Sequence, residues 1–170
     1  TRRLVCSRRL PDGARITING GLAPTRTVLA CSSSCFFVGG GGLGVLNNVE
    51  LVGAGPGVGI GLQVQDAKAT IGGNVVVRGF NVGLFATDSA FLNVAAGASV
   101  SGSGNGFFAF NNSVIRAAGT SSTSNGNGYL SMFQSTVIAT SSVAQLNSSS
   151  GMVALNSAMI QFNSSVITGN

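Results

Sequence analysis

The chain has 170 residues, enough for one domain, and 44% of them are hydrophobic while only 8% are charged. An average soluble domain carries about 25% charged residues, so this surface must be wetted by Asn, Ser, Thr and backbone, and disorder, which needs low hydrophobicity with high charge, is excluded. The 26 glycines keep no three-residue period, which excludes collagen, and no apolar run reaches the ~18 residues of a membrane-spanning helix.

The net charge of +5 is concentrated at the amino end, where Arg2, Arg3, Arg8, Arg9, Arg15 and Arg26 all precede residue 27. Beyond it, Lys68, Arg78 and Arg116 oppose Glu50, Asp66 and Asp88. A basic arm can meet nucleic acid, acidic glycan or an acidic partner, but a solvated leader is the plainer reading. A nucleic-acid partner is not expected, because no recognition motif or interleaved aromatics accompany the charge. Thr1-Arg2-Arg3 opens no apolar signal-like core, so the chain is expected to be processed or a fragment. Ala14–Asn19 and Val28–Ala30 read as strands, with Pro11, Pro24 and the run Gly39–Gly42 blurring any period. Residues 1–43 are therefore predicted to be a basic arm, a cap and one or two irregular turns.

From residue 44 a repeat emerges. Asn111-Asn112-Ser113-Val114-Ile115 returns as Gln134-Ser135-Thr136-Val137-Ile138 and as Asn156-Ser157-Ala158-Met159-Ile160. Earlier copies are Asp88-Ser89-Ala90-Phe91-Leu92, Asp66-Ala67-Lys68-Ala69-Thr70 and Asn47-Asn48-Val49-Glu50-Leu51. The leading residues stand 19, 22, 23, 23 and 22 apart. A second register keeps step with it: Gly79, Gly102, Ser124, Leu146 and Gly169 lie 23, 22, 22 and 23 apart, followed by Phe80, Ser103, Asn125, Asn147 and Asn170.

A pair of helices needs a repeat of about 33 residues, and these units are made of strand and turn formers. Three runs of four or five residues at about 3.3 Å each, with corners between them, close one flattened turn of a coil, and successive turns stack about 4.8 Å apart. The expected fold is an all-β parallel β-helix of 22–23-residue rungs with three short strands per rung, regular over 44–170. Asn47, Asp66, Asp88, Asn111, Gln134 and Asn156 are predicted to stack as one corner ladder, because corners demand left-handed backbone that Asn tolerates. Asn170 finishes a regular unit without a cap, so further protein or another chain is expected to follow.

Little chemistry is written on this frame. Gly39–Gly44 matches G-x-G-x-x-G, but no helix follows to receive a pyrophosphate, so it reads as a turn. No His is present, which removes a Ser-His-Asp triad and most zinc sites; no metal and no cofactor is expected. Cys6 and Cys31 lie about one turn apart and could bridge, Cys31 and Cys35 could pair across Ser32–Ser34, and buried free thiols are the favoured alternative. Asp66 and Asp88, one turn apart, are the single pair with catalytic potential, since carboxylates about 5 Å apart suit retaining glycosidases. The plainer reading makes them charged members of the ladder. Residues 89–170 hold one charged side chain, Arg116, beside seven aromatic ones, more rings than a narrow coil can enclose; an oligomer, most plausibly a homotrimer, is expected to cover the remainder.

The units over Gly104–Asn170, closing in Ser-Asn-Gly-Asn-Gly, Leu-Asn and Thr-Gly-Asn, resemble repeats of bacteriophage tail spikes and tail fibres. The resemblance spans roughly residues 44–170 and lies in rhythm and composition. It implies a right-handed parallel β-helix of the pectin-lyase-like type, a homotrimer, and attachment to a cell-surface polysaccharide from a virion tail or another extracellular surface. No catalytic residue of such enzymes maps onto this chain. The expected role is thus a non-catalytic structural or receptor-binding module. A fragment of a polysaccharide lyase or glycoside hydrolase, and a secreted autotransporter-like adhesin, are the alternatives.

Overall fold

The computed structural model describes residues 13–21 and 26–170. Among them there is no helix and none long and apolar enough to cross a membrane; the chain forms twenty short strands, β1 to β20 in chain order. Every third strand returns to the same sheet. The first sheet holds β1 (Arg15–Asn19), β4 (Leu43–Asn47), β7 (Lys68–Ile71), β10 (Phe91–Val94), β13 (Val114–Arg116), β16 (Thr136–Ile138) and β19 (Met159–Gln161). The second holds β2 (Thr27–Ala30), β5 (Val49–Val52), β8 (Val76–Arg78), β11 (Ser99–Ser101), β14 (Ser121–Thr123), β17 (Val143–Gln145) and β20 (Val166–Thr168). The third holds β3 (Phe36–Gly39), β6 (Ile60–Gln65), β9 (Val82–Thr87), β12 (Asn105–Phe110), β15 (Asn127–Met132) and β18 (Ser150–Leu155). All pairing is parallel. This is a right-handed parallel β-helix with three strands per rung.

Strands stay short because left-handed residues interrupt the chain at most of its corners. Gly97, Gly119, Ser141 and Ser164 turn the first sheet into the second at φ 87°, 67°, 52° and 49°. In the first sheet Arg15 pairs with Leu43, then Lys68, Phe91, Val114, Thr136 and Met159 follow one another, so turns of 28 and 25 residues settle to 22 or 23. The extra length early on lies in corners: β1 to β3 already pair in register ahead of the expected boundary at residue 43. The arginines at positions 2, 3, 8 and 9 lie outside the described residues, as do Pro11 and Pro24.

Alternation along each strand fills the coil. Leu51, Val77 and Val100 stack inside from the second sheet, Leu92, Ile115 and Val137 from the first, and Leu84, Phe107 and Tyr129 from the third, all essentially without exposure. Each such side chain contributes roughly 1.5–3 kcal/mol by leaving water. Phe107 and Tyr129 stack at 4.8 Å between ring centres. Inward residues at the other end of the rod are smaller and more polar, including Ser122, Ser131 and Ala144.

Cys31 and Cys35 are joined as a disulfide with Cα atoms 5.5 Å apart, which corrects the favoured expectation of free thiols. The cause is local. The corner from β2 to β3 brings the ends of Ser32–Ser34 together, and Cys31 and Cys35 each donate a backbone N–H to the next turn, at Val52 and Ile60. Cys6 lies outside the described residues.

Candidate functional site

Where the second sheet turns into the third, Gly79, Gly102, Ser124, Leu146 and Gly169 all hold positive φ, between 54° and 74°. The residue after each points inward, and together they form a hydrogen-bonded column. The Phe80 N–H donates to Ser103 Oγ (3.2 Å), Ser103 N–H to Asn125 Oδ1 (2.9 Å), Asn125 N–H to Asn147 Oδ1 (3.1 Å), and Asn147 N–H to Asn170 Oδ1 (2.9 Å). Each side-chain amide also donates back to the turn before: Asn125 Nδ2 to Val100 O (3.2 Å) and Asn147 Nδ2 to Ser122 O (3.2 Å). Asn125 and Asn147 are 2% and 1% exposed, so these amides replace water for backbone groups that the corner would strand.

Room for the amides comes from a glycine column that the sequence reading missed: Gly61, Gly83, Gly106, Gly128 and Gly151. A Cβ on Gly106 would come within 2.3 Å of Ser122 Oγ and 2.9 Å of Asn125 Nδ2; on Gly128, within 2.9 Å of Asn147 Nδ2. Their regular spacing of 22 or 23 residues was the available signal. A third column closes the corner from the first sheet to the second, where Thr120 N–H donates to Ser142 Oγ (3.2 Å) and Ser142 N–H to Ser165 Oγ (2.9 Å). The Tyr129 hydroxyl lies 3.0 Å from Thr120 Oγ1, and burial pushes its pKa up to about 12 against the opposing effect of bonds to Thr120 and Ser142.

The predicted corner ladder is only partly one column. Asp88 and Asn111 do stack, Asn111 Nδ2 donating to Asp88 Oδ1 (2.6 Å), and Asn156 follows two turns later with the same left-handed backbone, φ 56°. Gln134 does not belong to it. Met132 pairs with Leu155 and Phe110 with Met132, so the place between Asn111 and Asn156 is held by Phe133, at φ 53°. Gln134 stands one position later, beside Asn112 and Ser157. Asn47 belongs to a different corner altogether, ending a strand of the first sheet, where its Nδ2 donates to Asn19 Oδ1 (2.9 Å). The slip arose because the amide at Phe133-Gln134 is the second member of its left-handed pair, whereas in Asp88-Ser89, Asn111-Asn112 and Asn156-Ser157 the carboxylate or amide comes first; Asp66 turns alone.

Asp66 and Asp88 occupy this corner on consecutive turns, Asp66 N–H donating to Asp88 O (3.1 Å). Their carboxylates are placed differently. Both oxygens of Asp88 are taken by amides, from Gln65 Nε2 (2.8 Å) and Asn111 Nδ2 (2.6 Å), while Asp66 is exposed. Lys68 is exposed as well, and an ion pair forms elsewhere, from Arg78 to Glu50 (2.6 Å). Among the described residues no three of His, Cys, Asp and Glu converge on a point that could hold a metal ion. Gly40 and Gly41 make a tight left-handed link between β3 and β4, which leaves no phosphate-binding helix end at Gly39–Gly44.

The outer face of the third sheet departs from a polar surface. Phe107 turns in and Phe108 out, as adjacent strand residues must. Outside, Phe85 and Phe108 lie 5.0 Å apart between ring centres at 32°, Phe108 and Phe110 5.8 Å, and Phe110 and Phe133 5.0 Å edge to face. Phe133 is 44% exposed and Leu155 47%. Fold and columns together define a parallel β-solenoid whose corners are bridged by buried side chains and whose third sheet carries aromatic rings on its outer face. Compared with family models, curated proteins and solved structures, the chain finds no match.

Proposed function

We propose that the chain is a non-catalytic structural and receptor-binding module, carried on an extracellular rod such as a phage tail spike or fibre and attaching to host-surface glycan. The observation that carries this reading is the fate of the carboxylates. A glycosidase pair needs one acid free to donate a proton and one free to attack or to activate water. Here Asp88 accepts two amide hydrogen bonds that hold it as a ladder member, and Asp66 stands exposed on the neighbouring turn of the same corner. The resemblance in repeat rhythm supports the tail-spike setting and a homotrimeric form. The Cys31–Cys35 disulfide favours an oxidising location outside the reducing cytosol.

Incubation with neutral and anionic bacterial polysaccharides tests it. The expected result is retention on one of them with no shortening of its chains. Release of reducing ends that disappears in Asp88→Asn would replace the module with a lyase or hydrolase fragment.

A further inference from the structure

Resting on the reading of the chain as a module that works in an assembly, we propose that the outer face of the third sheet docks a second copy of this chain, with Phe133 as the anchor. Charge argues first. None of β6, β9, β12, β15 and β18 carries a charged residue, so an ionic partner would lose hydration there and gain nothing. A second copy offers an equally uncharged surface, with rows repeating at the same ~4.8 Å.

Ring geometry points the same way. Phe85 and Phe108 face one another along the rod, 5.0 Å apart and 32° from parallel, which occupies ring faces and turns edges outward. A sugar-stacking platform needs open faces; packed edges suit apolar side chains of another sheet. Size is sufficient. Six strands at ~4.8 Å and up to six residues at ~3.3 Å make a face of roughly 500 Å², so a pair buries about 1,000 Å² in total, the threshold of a specific interface.

The corner supplies the independent observation. Asp88, Asn111 and Asn156, all tolerant of left-handed backbone, occupy this position in other turns, yet here stands Phe133 at φ 53° and 44% exposed. Backbone preference and hydration both oppose a phenylalanine in that place. Contact with a partner offsets both.

Sedimentation equilibrium at micromolar concentration tests the face, using wild type, Phe133→Asn, Phe110→Thr and, on the outer face of the second sheet, Val143→Thr. Asn is what this corner carries at Asn111, and Thr is what the Phe110 column carries at Thr87, so both variants should keep the wild-type circular dichroism. Wild type and Val143→Thr should associate alike, with association weakened about tenfold or more in Phe133→Asn and Phe110→Thr. A wild-type oligomer unaffected by either variant overturns this face while leaving an assembling module. A wild-type monomer overturns both, and a monomer that loses polysaccharide retention in Phe133→Asn gives the face to glycan instead.

Discussion

Tyr129 shows how far one side chain can report on the whole coil. It is the sole tyrosine, no tryptophan is present, and its ring is fully buried against Phe107 and Phe162. Burial disfavours the phenolate, so the folded pKa of about 12 exceeds the unfolded value near 10. Between these values the unfolded chain has lost a proton that the folded chain keeps. Stability is therefore complete below pH ~10 and falls as pH rises toward ~12, by roughly 2–3 kcal/mol in all. Ultraviolet titration of tyrosinate should show a single late transition in the native protein and an ordinary one in denaturant. A native transition near 10 would place Tyr129 in water. Ser131 Oγ, buried two residues further along the same strand, makes no hydrogen bond.

At the scale of the element, the columns carry the argument. Gly106 and Asn125 are two halves of one device, since the space a methyl would fill holds the Asn125 amide, itself bonded to Ser122 Oγ at 2.9 Å. Gly106→Ala should cost roughly 1–3 kcal/mol by overpacking, and Asn125→Ala about 3 kcal/mol by stranding Ser103 N–H and Val100 O. Urea midpoints measure both, and a Gly106→Ala protein as stable as wild type would show the amide to be placed elsewhere. These columns also mark what the sequence could disclose. Period, strand count and the register through Gly79 to Gly169 were legible because every turn repeats them at a fixed place. The ladder through Asp66, Asp88 and Asn111 was legible only in part, because chemistry and position separate at Phe133-Gln134: the amide that catches the eye is the second residue of the left-handed pair, whereas Asp88, Asn111 and Asn156 are the first. The disulfide was undecided because spacing alone does not set Cβ directions, which depend on the corner between β2 and β3.

Across the whole molecule, contacts run only from turn to turn, so damage should stay local. The Cys31–Cys35 loop rests on the next turn through Ser34, whose Oγ accepts the Ile60 N–H (3.0 Å), and Gly59 lies against the Ser33 backbone with no room for a Cβ. Reducing the disulfide should cost about 2 kcal/mol, given the short loop it closes. Amide hydrogen exchange read by mass spectrometry should then quicken in β1 to β6 and remain unchanged in β12 to β18; uniform quickening would mean that the rod unfolds as one unit. The interior itself changes along the axis, from Leu51, Val77 and Phe80 to Ser122, Asn125 and Asn147. Hydrocarbon burial weakens on cooling while hydrogen-bonded columns have no such dependence. The two ends of this rod therefore answer to temperature differently: cold loosens the turns around Leu51 first, and the asparagine-lined turns keep their grip.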